Sequence, residues 1–331
     1  MLNATDLTGL YAIIPTPAKA DAARLDARDT VDLDESARLV DALIADGVSG
    51  LIALGTTGEC ATLSRSDYET FADCVLQTVD RRIPTFIGTS ALGGHEVASR
   101  MTFIRERGAD GTLLGLPMWQ PVNTEMAVGF YKDVAAAFPD VAVMVYANAR
   151  AFRYSFPPEF WQAVARAAPT VISAKFSRPK NLNDLIKGTG GRIHFMPNEM
   201  TVHEFYAQAP ATTTACWATA AGMGPSPAIA LMNAILANDA AEVERIAREL
   251  GWANEPLTPI IESPEIFASF NIQVEKTRIN EAGYCRCGPI RPPYAHMPAE
   301  YEAAARECGR RWATLREKYP AARSSRKAAY G

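Results

Sequence analysis

Lys175, Tyr146 and the segment Gly55-Thr56-Thr57-Gly58-Glu59 are the residues of this 331-residue chain whose types and placement point most directly to chemistry. Lys175 closes the apolar stretch TVISAK. Partial loss of water at such a strand end disfavours the ammonium, lowers the pKa and leaves a neutral amine able to attack a ketone. The alternative is a lysine whose stem lines the wall while its charge reaches solvent. Tyr146 closes VAVMVY, one strand earlier. Neighbouring strands lie about 5 Å apart, so phenol and amine can converge on one ligand, where the phenol would move protons. A tyrosine packed on a rim with its hydroxyl tied to backbone is the other reading. In Gly55–Glu59 the glycines permit a tight bend with exposed amide hydrogens and the threonines add hydroxyls, a cradle suited to a small carboxylate. The same segment also reads as a turn into a helix beginning at Thr62 or Ser64; it is too short for a phosphate-binding loop and lacks the lysine of one.

These residues need elements to hold them. Apolar runs around LYAII, GLIALG, PTFIG, GTLLGLP, VAVMVY, TVISAK, IHFMP and TTTACW alternate with helical segments, the first from Leu33 to Ile44. Eight short strands separated mainly by helices predict an α/β chain, a (β/α)8 TIM barrel with a C-terminal helical extension, whose active site belongs at the C-terminal ends of the strands. An open flavodoxin-like sheet is the alternative; no GxGxxG follows the first strand, and SALGG before His95 lacks that pattern. The main barrel region is expected over 9–225. The last barrel helix and the extension follow over 226–320, with helices at 228–251, roughly 255–270 and 299–318 and a turning link GPIRPP at 288–293. A disordered tail is expected over 321–331.

The net charge of −4, with lysine and arginine dispersed, shows no footprint for nucleic acid or an anionic membrane and suits a small-molecule enzyme. Six scattered cysteines without a signal peptide or membrane-spanning run favour the reducing cytoplasm. Cys285 and Cys287 have no second pair or nearby histidine for zinc, and His95, His194, His203 and His296 have no metal-site spacing, so no metal is expected. Glu199 and His203 read as a pair one helical turn apart, with His203 able to approach the pocket. Cys60 reads as a small packed group rather than a nucleophile.

Taken together, GTTGECATLS at 55–64, a tyrosine ending strand five and a lysine ending strand six resemble the pyruvate-dependent class I aldolases typified by dihydrodipicolinate synthase and N-acetylneuraminate lyase. The resemblance implies that Lys175 forms the Schiff base, Tyr146 transfers protons, and Thr56 and Thr57, with Gly58, hold a pyruvate carboxylate while Thr56 supports the proton relay. Departures matter for the substrate. Pro117-Met118-Trp119-Gln120-Pro121 stands where the synthase has a tyrosine pair, Tyr146-Ala147-Asn148-Ala149 replaces its Tyr-Asn-Val-Pro, and Arg150 is near but not at its carboxylate-binding arginine.

These segments, with YANARAFRYSFPPEFW, FNIQVEKTRINEAG and GPIRPPY, resemble the hydratase-aldolases that cleave substituted benzylidenepyruvates in naphthalene and phenanthrene breakdown. That narrower resemblance implies a homotetramer, an aromatic 2-oxo acid substrate, no metal and no cofactor beyond the covalent imine. Trp119 and Trp217 are expected to wall the aromatic ring, and Asn148 or water to place the attacking oxygen. Arg150, Arg153 and Arg178 suit a two-pronged grip on an ortho carboxylate, which favours 2'-carboxybenzalpyruvate over the ortho-hydroxy analogue that yields salicylaldehyde. A synthase or sugar-acid lyase, a metal-dependent aldolase and a non-enzymatic binding barrel are the rival readings.

Overall fold

The structure, a computed structural model, describes residues 1–177 and 180–320. Eight strands form one all-parallel sheet: β1 (Gly9–Ile13), β2 (Gly50–Ala53), β3 (Thr85–Gly88), β4 (Gly111–Leu114), β5 (Ala142–Tyr146), β6 (Val171–Lys175), β7 (His194–Met196) and β8 (Ala215–Ala218). Each coincides with one of the apolar runs, because strands of a parallel barrel are covered on both faces and read as continuous rather than alternating hydrophobic stretches. From β7 to β1 every strand pairs with its sequence neighbour, and β1 pairs with β8. Between β7 and β8 the contact lies past the strand end. Trp217 N–H donates to Pro197 O at 2.9 Å, and Glu199 N–H donates to Trp217 O at 3.0 Å. The ring therefore closes at its C-terminal rim, one strand away from Lys175.

Local chemistry sets the helix ends. Asp32 caps Leu33–Asp46 by accepting from Glu35 N–H, and Gly47, at φ 96°, ends it. Ser64, not Thr62, caps Arg65–Val79.

The C-terminal part departs from the expected boundaries. The helix expected over 228–251 is two, Ser226–Leu236 and Ala240–Asn254, because Asn238 turns through φ 55° and Asp239 caps the second. The segment expected over 255–270 is a turn at Thr258–Ile261 followed by a long helix, Pro264–Ala282, started by the Ser263 cap and stopped by Gly283 at φ 71°. Its length leaves no periodic signal in the sequence, because it buries Gln273, Glu275, Lys276 and Arg278 among apolar residues, which erases the amphipathic stripe. Helix Ala299–Lys318 lies where expected and is tied to the barrel by Trp312 Nε1 donating to Gly224 O at 3.0 Å and Arg316 Nη1 donating to Met223 O at 2.6 Å. The tail expected at 321–331 lies outside the described residues. Among the described residues no helix is long and apolar enough to cross a membrane.

One packing contact links the fold to the C-terminal rim of the strands. Phe152 stands edge-on to Tyr146 with ring centroids 5.4 Å apart. The seat for Phe152 exists only because residue 115 is glycine, since a Cβ there would meet Phe152 Cζ at 1.9 Å. Gly115→Ala is expected to lower stability by about 1–3 kcal/mol through overpacking; an unchanged denaturant midpoint would show that Phe152 has room to move.

Candidate active site

Parallel pairing places Tyr146 directly beside Lys175 at the ends of β5 and β6. The Lys175 amine lies 3.3 Å from the centroid of the Trp217 ring, over its face, and 5.0 Å from the centroid of Tyr146. Trp217 is held in that plane by its indole N–H, which donates to Met196 O at 3.1 Å. Burial pushes the Lys175 pKa down to about 7; the carboxylates of Glu199 and Glu275 work against this, and Arg150 adds to it. A neutral amine is thus well populated near neutral pH.

Tyr146 is buried, and burial raises its pKa. Two hydrogen bonds oppose that effect: Thr56 Oγ1 shares a proton with the phenol oxygen at 2.8 Å, and Asn148 Nδ2 donates to it at 3.4 Å. The Asn148 amide has little choice of direction. Its Oδ1 caps the short helix Ala149–Phe152 by accepting from Ala151 N–H at 3.2 Å, which leaves its nitrogen toward the phenol.

Thr56 is carried by a strongly bent segment. Leu54 and Glu59 both adopt positive φ, 59° and 55°, and at Gly58 a Cβ would come 2.9 Å from Leu54 Cα. Within the bend Glu59 N–H donates to Thr56 O at 2.9 Å, and Thr16 Oγ1 donates to Gly58 O at 2.7 Å. Thr57 is buried in the same turn.

Lys175, Tyr146, Thr56, Asn148 and Trp217 therefore meet in one place. Others do not join them. Trp119 is 75% exposed on the loop after β4, so within this chain it walls no pocket. That loop is gripped from outside by Arg153, whose Nη2 donates to Met118 O at 2.8 Å and also to Trp119 O, so this guanidinium serves backbone carbonyls. Arg150 is exposed and lies 4.7 Å over the Phe267 ring. Arg178 lies outside the described residues. Glu199 precedes helix Val202–Gln208 instead of sharing it with His203, and its carboxylate accepts from Ala220 N–H at 3.2 Å. His203 is half-buried, with a buried Nδ1 that has no hydrogen-bond partner among the described residues. Burial pushes the Cys60 thiol up to about 11, which suits a packed group. Among the described residues no three His, Cys, Asp or Glu side chains gather to hold a metal.

Two buried charge clusters went unread in the sequence. Behind Lys175, Arg278 pairs with Glu275 at 2.8 Å and donates to Thr219 Oγ1 at 2.7 Å and Asn254 Oδ1 at 2.9 Å. Beneath the Thr56 turn, Glu59 receives Lys276 Nζ at 2.8 Å and Arg291 N–H at 3.0 Å. The available signal was the run Glu275-Lys276-Thr277-Arg278 inside an otherwise mixed helix, where residues of these types are seldom buried unpaired.

The model of the Dihydrodipicolinate synthetase family matches residues 18–305. The chain is 38% identical over 325 residues to a trans-O-hydroxybenzylidenepyruvate hydratase-aldolase of Pseudomonas aeruginosa, covering 96% of each chain. It is 35% identical over 324 residues to a trans-2'-carboxybenzalpyruvate hydratase-aldolase of Nocardioides sp. (strain KP7), covering 97% of each. A solved structure described as "PhdJ bound to substrate intermediate" superposes with a TM-score of 0.93 at 35% identity, covering 96% of this chain and 99% of that one.

The lowered Lys175 pKa gives a signed pH dependence. Below about 7 the amine is an ammonium with no lone pair to attack, so imine formation with a 2-oxo acid is expected to rise roughly tenfold per pH unit up to about 7 and to level off above it. Rates of reductive trapping across pH 5–9 measure this; a rise that continues toward the ordinary lysine pKa would contradict it.

Proposed function

The chain belongs to the dihydrodipicolinate synthetase family of class I aldolases, and from that premise we propose that it is a hydratase-aldolase that holds an ortho-substituted trans-benzylidenepyruvate on Lys175 and splits it into an aromatic aldehyde and pyruvate. The observation that carries the proposal is the convergence on a desolvated amine of a phenol hydrogen-bonded to Thr56 and an amide fixed by its own helix cap.

Lys175 attacks the C2 ketone, a carbinolamine forms, and loss of water leaves an iminium. The iminium draws electrons from the conjugated alkene, so water adds at the ring-bearing carbon, near the Asn148 amide, and the proton it releases is matched by protonation of the neighbouring enamine carbon, which restores the iminium. Tyr146, kept protonated by burial, then acts as a relay: it takes up the proton of the new hydroxyl as it hands its own on through Thr56. The carbon–carbon bond breaks with its electron pair moving to the enamine, and the aldehyde leaves. Protonation of the enamine carbon and hydrolysis return pyruvate and the free amine, for a net consumption of one water. Thr57 and the amide hydrogens of Thr56 to Gly58 hold the substrate carboxylate, because the Glu59 amide is already used inside the turn. Trp217 supports the imine with its indole face.

For the ring substituent, an ortho hydroxyl is better supported than the ortho carboxylate expected from the arginines. Arg153 spends its fork on the carbonyls of Met118 and Trp119, and Arg150 lies against Phe267. Relatives of 36–38% identity carry the hydroxybenzylidenepyruvate name, against 35% for the carboxy enzyme. A homotetramer in the cytoplasm goes with this reading, the latter supported by six free cysteines.

Turnover of the ortho-hydroxy and ortho-carboxy benzylidenepyruvates side by side tests both levels. Aldehyde release is expected from both, favouring the hydroxy compound at least tenfold in kcat/KM, about 1.4 kcal/mol. Preference for the carboxy compound would reverse the substituent assignment, and release from neither would overturn the hydratase-aldolase reading.

A further inference from the structure

The C-terminal extension reaches beneath the barrel rim and ends, chemically, on Glu59. This carboxylate is fully buried, as is the Lys276 side chain, and Arg291 is 3% exposed. Lys276, from helix Pro264–Ala282, donates to Glu59 Oε2 at 2.8 Å and to Pro289 O at 2.7 Å. Arg291 binds Glu59 through its backbone N–H on Oε1 and its Nη1 on Oε2. The rest of its guanidinium donates to Thr16 O at 3.1 Å, Pro17 O at 3.3 Å, Thr30 O at 3.1 Å and Thr30 Oγ1 at 2.9 Å. Asp67 completes the set by accepting from Thr30 N–H at 2.8 Å and Thr30 Oγ1 at 3.0 Å.

The link that carries Arg291 is itself pinned. Asn280 accepts from Cys287 N–H at 2.7 Å and donates to Gly288 O at 3.1 Å, while Ala18 N–H donates to Cys287 O at 2.9 Å. Gly288, at φ 69°, lets the link lie against Ala18, whose carbonyl oxygen would be 2.0 Å from a Cβ at that position. Residues 16–18, 30, 55–60 and 276–291, distant in sequence, thus meet around one carboxylate.

Glu59 also occupies a backbone conformation that side-chain-bearing residues seldom adopt, and it is the last residue of the turn that begins at Thr56. Something outside the turn must hold it there, and the two buried cations do so. We infer that Glu59 is a positioning residue for the carboxylate cradle, held by Lys276 and Arg291, so that the C-terminal extension sets the placement of Thr56, Thr57 and Gly58. The inference rests on the reading of that turn as the carboxylate site. It assigns Glu59 no contact with substrate; its effect passes through the three residues before it.

The test is reductive trapping of pyruvate by the full-length protein, with folded content followed by circular dichroism. Glu59→Gln keeps the shape of the side chain but removes the charge that both cations share. It is expected to raise the half-saturating pyruvate concentration about tenfold while leaving the pH midpoint of trapping, a property of Lys175, where it is in the unsubstituted protein. Arg291→Lys retains the backbone N–H on Glu59 and the positive charge but loses the guanidinium fork that ties it to Thr16, Pro17 and Thr30, and is expected to fall between the two. A purely structural role would lower the melting temperature without moving half-saturation in the folded protein, and that result with either variant overturns the inference. If Glu59→Gln does not fold, Arg291→Lys decides in the same way. Failure of the unsubstituted protein to trap pyruvate would instead remove the proposed function on which the inference stands.

Discussion

Lys276 is fully buried and Lys175 half-buried, and the difference between their surroundings sets the character of the candidate site. Lys276 donates to the Glu59 carboxylate at 2.8 Å; burial pulls its pKa down, and that contact works in the opposite direction. Lys175 makes no ion pair among the described residues and faces the indole of Trp217. The acids nearest to it in effect, Glu199 and Glu275, are occupied elsewhere. Glu275 is paired with Arg278, and Glu199 accepts from Ala220 N–H while burial raises its pKa. Their pull toward an ammonium is therefore blunted, desolvation wins, and Lys175 holds the neutral amine that the proposed reaction needs.

The remaining parts follow from keeping that amine both dry and addressed. Closure of the sheet at the rim, through Pro197, Trp217 and Glu199, brings the indole beside the amine. Register between β5 and β6 brings the phenol. The bent turn after β2 brings Thr56 to the phenol, and that turn rests on a carboxylate clamped from the far end of the chain. The buried pairs that join the extension to the barrel also hold the turn that carries Thr56. Removing one partner of such a pair leaves a buried charge uncompensated, which typically costs about 3–5 kcal/mol.

Much of this was legible in the sequence. Apolar runs marked all eight strands, and Lys175, Tyr146 and Thr56 stood at strand ends, where a parallel barrel gathers its reactive groups. What escaped was of two kinds. Partnerships such as Lys276 with Glu59, 217 positions apart, leave no local pattern, and burying charges in helix Pro264–Ala282 removed the periodicity that would have shown its length. Side-chain direction on loops was the other. Trp119 follows β4 much as Tyr146 ends β5, yet it is exposed on a loop gripped by Arg153, and of the arginines expected to seize a carboxylate Arg153 settles on backbone carbonyls and Arg150 lies over an aromatic ring.

The proposed reaction requires Lys175, rather than Lys276 or an exposed lysine, to be the amine that bonds to substrate. Peptide mass mapping after incubation with pyruvate and cyanoborohydride examines this directly. A single reduced adduct on the peptide containing Lys175 is the expected result. An adduct on the peptide carrying Lys276, or labelling spread over exposed lysines with Lys175 unmodified, would contradict it.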